Sequence, residues 1–96
     1  MLPSQALALH RDDIRNLVRR FRVSNPRVFG SVLHGTDTEE SDLDLLVDPQ
    51  PGTTLFDLGG LQWELKELMG VRVDVRTPKD LPDYFREVVL AEAQPV

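Results

Sequence analysis

Apolar residues recur at helical spacing near the start of the chain, at Leu7, Ile14, Leu17, Val18 and Phe21, behind a start signal at Pro3 and Ser4. The spacing predicts an amphipathic helix over about residues 5 to 22. Ser24-Asn25-Pro26 signals a turn, since the residue before proline avoids helical backbone, and a first strand follows at Arg27 to Phe29. Residues 36 to 41 are polar and read as a loop. Leu43 to Val47 form a second strand, which Asp48-Pro49 ends, and Pro49, Pro51 and Gly52 make a stiff connector. Thr54 suits the N-cap of a helix from about 55 to 69 whose core stripe is Leu55, Leu58, Leu61, Leu65 and Leu68. After Gly70, Val71, Val73 and Val75 alternate with Arg72, Asp74 and Arg76 in a third strand. Thr77-Pro78 breaks it, Asp80 looks like an N-cap, and Pro82 opens a last helix to about Ala93 that buries Phe85, Val88 and Val89 before Pro95 stops it. The order helix, strand, strand, helix, strand, helix is an α+β architecture.

Two faces in this pattern are unusual. Arg11, Arg15, Arg19 and Arg22 line one side of the first helix, which is ordinarily a solvated face trimmed by Asp12 and Asp13, and in a sharper reading a docking stripe for an acidic partner or RNA. Phe56, Gly59, Gly60 and Trp63 share a second face of the middle helix, where two glycines cost ~1 kcal/mol each relative to alanine. The expectation is that this face packs inside the domain. The alternative is a partner or homodimer surface built around an aromatic anchor.

Candidate chemistry concentrates in residues 28 to 48. Val28 and Phe29 end an apolar run, Gly30 lets the backbone turn, and Ser31 adds a hydroxyl to exposed amides, a combination that can cradle phosphate oxygens. Asp42 and Asp44 alternate with Leu43 and Leu45, so in a strand both carboxylates take one face, ~6–7 Å apart, while the leucines enter the core. Such a pair repels itself without a cation and suits Mg²⁺, which completes its shell with water and phosphate. Asp48 shares their parity but lies ~13 Å beyond Asp44, and counts as a turn residue. Asp74 shares a face with two arginines and on its own reads as an ordinary ion pair. If the second and third strands are neighbours ~4.8 Å apart, it falls beside the other two carboxylates. His10 has no partner spacing and is expected in solvent, and Tyr84 reads as structural.

The set Gly30-Ser31, Gly35 and Ser41-Asp42-Leu43-Asp44 resembles the signature of the minimal nucleotidyltransferases of the DNA polymerase β superfamily, which is Gly-Ser, then Gly, then Ser-Asp-x-Asp. Six fixed residue types at ordinary usage match by chance about once in ten million starting points, which makes the signal specific. The resemblance continues through Asp74 to Leu90-Ala91-Glu92-Ala93. It implies a polymerase β-like fold, a small mixed sheet flanked by helices with a short helical turn after the first strand. It implies catalytic and metal-ligating roles for Asp42, Asp44 and Asp74, with two Mg²⁺ ions and ATP as substrate. Nucleotide contacts are implied for Gly30, Ser31, Gly35 and Ser41. His34, which stands where many family members carry arginine, joins them. The resemblance further implies a helical HEPN-type partner in a toxin–antitoxin pair, with AMP passed to a tyrosine hydroxyl on the toxin. A binding-only antitoxin and a small-molecule nucleotidyltransferase are the rival readings.

Composition narrows this picture. Ninety-six residues at 41% hydrophobic content are expected to make one domain, residues 1–96, with a single core. With no cysteine, neither a disulfide framework nor a thiolate metal site can form. Nothing resembles a signal peptide or a membrane span, so the expected location is the cytoplasm. A net charge of −5 argues against a protein that grips free nucleic acid through its overall field.

Overall fold

A computed structural model describes Met1 to Val96. The elements run α1 (Pro3–Arg20), β1 (Val23–Phe29), α2 (Gly30–His34), β2 (Leu43–Pro49), α3 (Leu55–Met69), β3 (Val73–Arg76), a 3₁₀ turn (Pro78–Asp80), α4 (Asp83–Glu92) and β4 (Gln94–Pro95). The four strands form one mixed sheet in the order β3-β2-β1-β4. β2 is antiparallel to β1 and parallel to β3, and β4 pairs antiparallel with β1. The expected α+β architecture is therefore present, including the helical turn after the first strand. No helix is long and apolar enough to cross a membrane.

Strand parity divides the interior in two. Leu43, Leu45 and Val47 of β2 and Val73 and Val75 of β3 face α1 and α3, where they meet Ile14, Leu17, Leu61 and Leu65. The opposite face carries a smaller cluster of Phe29, Leu46, Leu81 and Val89 under α4. Asp42 and Asp44 share the parity of Leu46, so β2 directs its carboxylates to the α4 side. Because Leu43, Leu45, Leu46 and Val47 are all fully buried, β2 is the axis of the fold and its register is strongly specified.

Several local expectations change. Ser24-Asn25-Pro26 is not a turn before the strand but a bulge within β1, where the register shifts and Asn25 takes a φ of 53°. Arg27 and Asn25 then hold Asp48, the guanidinium at 2.5 Å and the amide at 3.0 Å, so Asp48 is a strand residue in an ion pair. α1 ends at Arg20, and Arg22 adopts a left-handed backbone outside it, which breaks the arginine stripe. Arg15 leaves it too, bonding Asp12 at 2.6 Å and the carbonyl of Val96 at 2.9 Å. His10 lies at a kink in α1 and pairs with Asp13 at 2.9 Å. Asp80 caps the 3₁₀ turn by accepting from Thr77, and Pro82 occupies the N-cap of α4. Val88 is exposed, and Pro95 does not merely stop a helix but adds β4 to the sheet edge.

α3 begins with a reciprocal cap, the Asp57 N–H donating to Thr54 Oγ1 at 3.2 Å and the Thr54 N–H to Asp57 Oδ2 at 2.8 Å. Its second face divides rather than packing inside. Gly60 admits Phe21, whose Cε1 would stand 2.9 Å from an added Cβ. Gly59 faces open space, Phe56 is 91% and Trp63 61% exposed, and Leu55 and Leu68 have left the core stripe at 84% and 41%. The expectation that the aromatic face is internal is thus overturned, because Leu58, Leu61, Leu65 and Met69 already complete the buried side. Gly59→Ala should therefore stabilise the protein by about 0.5–1 kcal/mol, whereas Gly60→Ala should show none of that gain because its methyl meets Phe21. Urea denaturation midpoints of the two variants test this, and an equal gain in both would contradict the packing.

Candidate active site

The parallel register sets Asp44 directly opposite Asp74, with Leu43 opposite Val73 and Leu45 opposite Val75. β1 ends on the other side of β2, where Phe29 pairs with Asp44. Gly30 opens α2 there with a φ of 74°, a conformation suited to glycine. A Cβ on Gly30 would overlap Oδ2 of Asp44 and stand 3.1 Å from its Cγ, so the turn closes on that carboxylate only because this residue has no side chain. Gly30-Ser31, Asp44 and Asp74 therefore lie in sequence across three adjacent strands.

The electrostatics follow from that arrangement. Asp44 is half-buried, and its carboxyl is pushed up to about 6, first by burial and then by the neighbouring charges of Asp74 and Asp42. Arg76, which lies on the same strand face as Asp74, works in the opposite direction. The other two carboxylates rest on arginines: Arg72 Nε stands 2.8 Å from Asp42 Oδ1, and Arg76 Nε stands 2.9 Å from Asp74 Oδ2. The ordinary ion pair expected of Asp74 is present, with one arginine rather than two, and Arg72 turns to Asp42 and the carbonyl of Glu40. The carboxylates do not converge as a three-ligand cluster. Their donor chemistry nonetheless suits a hard divalent cation, since Asp44 and Asp74 are registered partners whose mutual repulsion such an ion would remove.

The remaining candidates have more local surroundings. Gly35 is the left-handed C-cap of α2, its N–H directed to the carbonyls of Ser31 and Val32. The Ser41 hydroxyl accepts from the N–H of Thr38 at 2.9 Å and so shapes the loop before β2. His34 ends α2 exposed and engages Glu92 of α4 at 2.9 Å. Tyr84 is 87% exposed, edge-on to Phe85 with ring centroids 5.0 Å apart.

A cleft of 510 Å³ begins at Asp42 and Asp74 and runs along the outer edge of β3 to α3, lined by Arg72, Val73, Gly59, Gln62, Trp63 and Lys66. The Gln62 side chain accepts from the Val75 N–H at 3.0 Å, covering part of the open strand edge. Sequence reasoning missed Gln62 and Lys66. The available signal was their spacing on α3, with Gly59, Gln62, Trp63 and Lys66 at steps of three, one and three.

Residues 11–96 match the nucleotidyltransferase domain family. The protein adenylyltransferase MntA of Thermococcus cleftensis is 35% identical over 86 residues, which cover 90% of this chain and 84% of the relative. A solved structure described as a candidate minimal nucleotidyltransferase superposes with a TM-score of 0.86 at 42% identity, covering 97% of this chain and 95% of its own. A chain from a toxin–antitoxin crystal structure with AMP-PNP shares the fold, with a TM-score of 0.73 at 20% identity over 88% of this chain and 69% of that one.

The raised carboxyl of Asp44 has a stability consequence of definite sign. Between 3.8 and about 6 the folded chain holds a proton that the unfolded chain has released, so this group's contribution improves as pH falls through that window and is worst above it. In metal-free buffer, Asp44→Asn should stabilise the protein near neutral pH by about 1 kcal/mol, allowing for solvent screening of a half-buried group. The advantage should disappear by about pH 4. Denaturant titrations of both proteins across this range test the prediction, and a variant no more stable than the parent at neutral pH would contradict it.

Proposed function

Because the chain belongs to the nucleotidyltransferase domain family, we propose that it transfers AMP from ATP to a hydroxyl group on a partner protein, as the antitoxin of a HEPN-type toxin–antitoxin pair. The observation that carries this reading is the register of Asp44 against Asp74, with Gly30 closing on Asp44 from the opposite side. The relative named as a protein adenylyltransferase supports AMP as the group moved and a protein as its acceptor. Residues 1–96 act as a single catalytic domain, with the acceptor hydroxyl supplied from outside.

In this reading the amides and hydroxyl at Gly30-Ser31 hold the β- and γ-phosphates, and the α-phosphorus lies over Asp42 and Asp44. Gly35 fixes the end of the α2 turn, Ser41 fixes the loop that delivers Asp42, and His34 adds a ring N–H donor to the phosphates. Asp42, Asp44 and Asp74 would hold two Mg²⁺ ions. When bound, Mg²⁺ supplies neutralisation of the triphosphate and of the leaving pyrophosphate, and lowers the pKa of the acceptor hydroxyl. The acceptor oxygen forms a bond to the α-phosphorus as the bond to the pyrophosphate oxygen breaks in line with it. Asp74 takes the hydroxyl proton at Oδ1, the oxygen that Arg76 leaves free. Arg72 and Arg76 hold Asp42 and Asp74 apart from one another before substrate arrives.

The test combines the protein, MgCl₂ and each nucleoside triphosphate with the protein encoded by the adjacent gene. The expected result is an adenylylated partner in the intact mass spectrum with ATP, and none with Asp42→Asn, Asp44→Asn or excess EDTA. The variants should remain folded, and Mg²⁺ should raise the melting temperature of the parent but not of Asp44→Asn. Transfer by the Asp42→Asn/Asp44→Asn double variant would refute the site.

A further inference from the structure

The sheet order separates the two sides of the reaction. Gly30-Ser31 lies at the end of β1, Asp44 on central β2 and Asp74 on edge strand β3. An in-line displacement places the attacking oxygen opposite the leaving group. With the pyrophosphate at Gly30-Ser31, the attacking hydroxyl must come from the β3 edge. The ribose hangs from an equatorial oxygen of the α-phosphorus and leaves that axis sideways. The open space on the attacking side is the cleft that runs from Asp42 and Asp74 to α3.

The wall of that cleft continues into an apolar surface. Trp63 and Gly59 line it, and Phe56 extends the same helix face one turn further, exposed beyond any structural need. An open Gly59 between two exposed aromatic rings leaves a shallow saddle into which a foreign side chain can sink. Lys66 gives the rim a positive charge. We propose that the Phe56–Gly59–Trp63 face is the seat of the acceptor protein: an apolar segment of the partner rests on the two rings and directs its hydroxyl along the cleft to Asp74. This rests on the nucleotidyl-transfer reading. A net charge of −5 favours a protein over a nucleic acid as the occupant.

Trp63 is the chain's single tryptophan and reports on its own face. The parent protein, Phe56→Ala, Trp63→Ala and Asp44→Asn are compared with MgATP and the protein encoded by the adjacent gene, after melting curves establish that each is folded. The expected results are a blue shift of Trp63 emission on adding the partner, and a rise of about tenfold or more in the acceptor KM for Phe56→Ala and Trp63→Ala. The MgATP-induced rise in melting temperature should be unchanged in those two variants. An unaltered acceptor KM with unaltered emission overturns the docking surface while leaving transfer in place. Loss of the MgATP effect in Trp63→Ala overturns it in favour of a nucleoside in the cleft. Transfer persisting in Asp44→Asn, or absent from the parent protein, overturns the transfer reading and this inference with it.

Discussion

Everything at the candidate site depends on the pairing of β2 with β3. A strand's side chains alternate faces, so a slip of one residue would turn Asp44 into the α1/α3 core and expose Leu43, Leu45 and Val47. Those leucines and Val47 are completely buried, which makes the cost of such a slip comparable to the whole stability a small domain possesses. Hydrophobic burial on one face of β2 thereby fixes the position of charge on the other. Because β2 and β3 are parallel, α3 must cross between them, and the helix that closes the core also forms the outer wall of the cleft. Folding and site geometry are set by the same register.

The charges themselves act against folding. Asp44 is held near two other carboxylates in partial burial, and its carboxyl is raised for that reason. The chain limits the penalty with arginines drawn from β3 and its approach, Arg72 to Asp42 and Arg76 to Asp74. Both pairs are partly exposed, so each contributes no more than about 1 kcal/mol. Contacts of that size steady the carboxylates yet yield to a ligand that offers them a stronger counter-charge. Asp48, on the same face of the same strand, is held differently. It has Arg27, largely buried, at 2.5 Å and Asn25 beside it, at the end of β2 away from Asp42 and Asp44. One strand face thus carries an anchored carboxylate at one end and loosely held ones at the other.

Where periodicity was strong, the fold was legible in the sequence. The leucine stripe of α3, the alternation at Asp42 to Val47 and the valines of β3 each gave an element of the correct type. The candidate site was legible because glycine at a tight turn and alternating carboxylates are unusual combinations, and because Asp74 keeps strand parity among its valines. Local propensity failed where tertiary contacts outweighed it. Asn25-Pro26 signals a turn, yet β1 absorbs it as a bulge since Val23 and Val28 on either side are both buried against α1. A two-residue strand such as β4 has no period to detect, and it exists because β1 offers an open edge. Arg72's partner depended on side-chain direction, which spacing does not supply.

The α3 face shows how far a sequence pattern can carry. Phe56, Gly59, Gly60 and Trp63 form one stripe by spacing, and a helix can bury only as much of its circumference as its neighbours cover. Leu58, Leu61, Leu65 and Met69 meet the sheet and α1, Gly60 turns to Phe21, and no element remains to cover Phe56 or Trp63. Sequence identifies such a stripe but cannot say which part lies inside, because that depends on the width of the core beneath it. The glycines mark the boundary. Gly60 is small because Phe21 touches it, whereas nothing in the chain approaches Gly59, so the helix bears its conformational cost without a return in packing. An exposed glycine between two exposed aromatic rings, opening onto a carboxylate cleft, is a feature that packing within the chain does not account for.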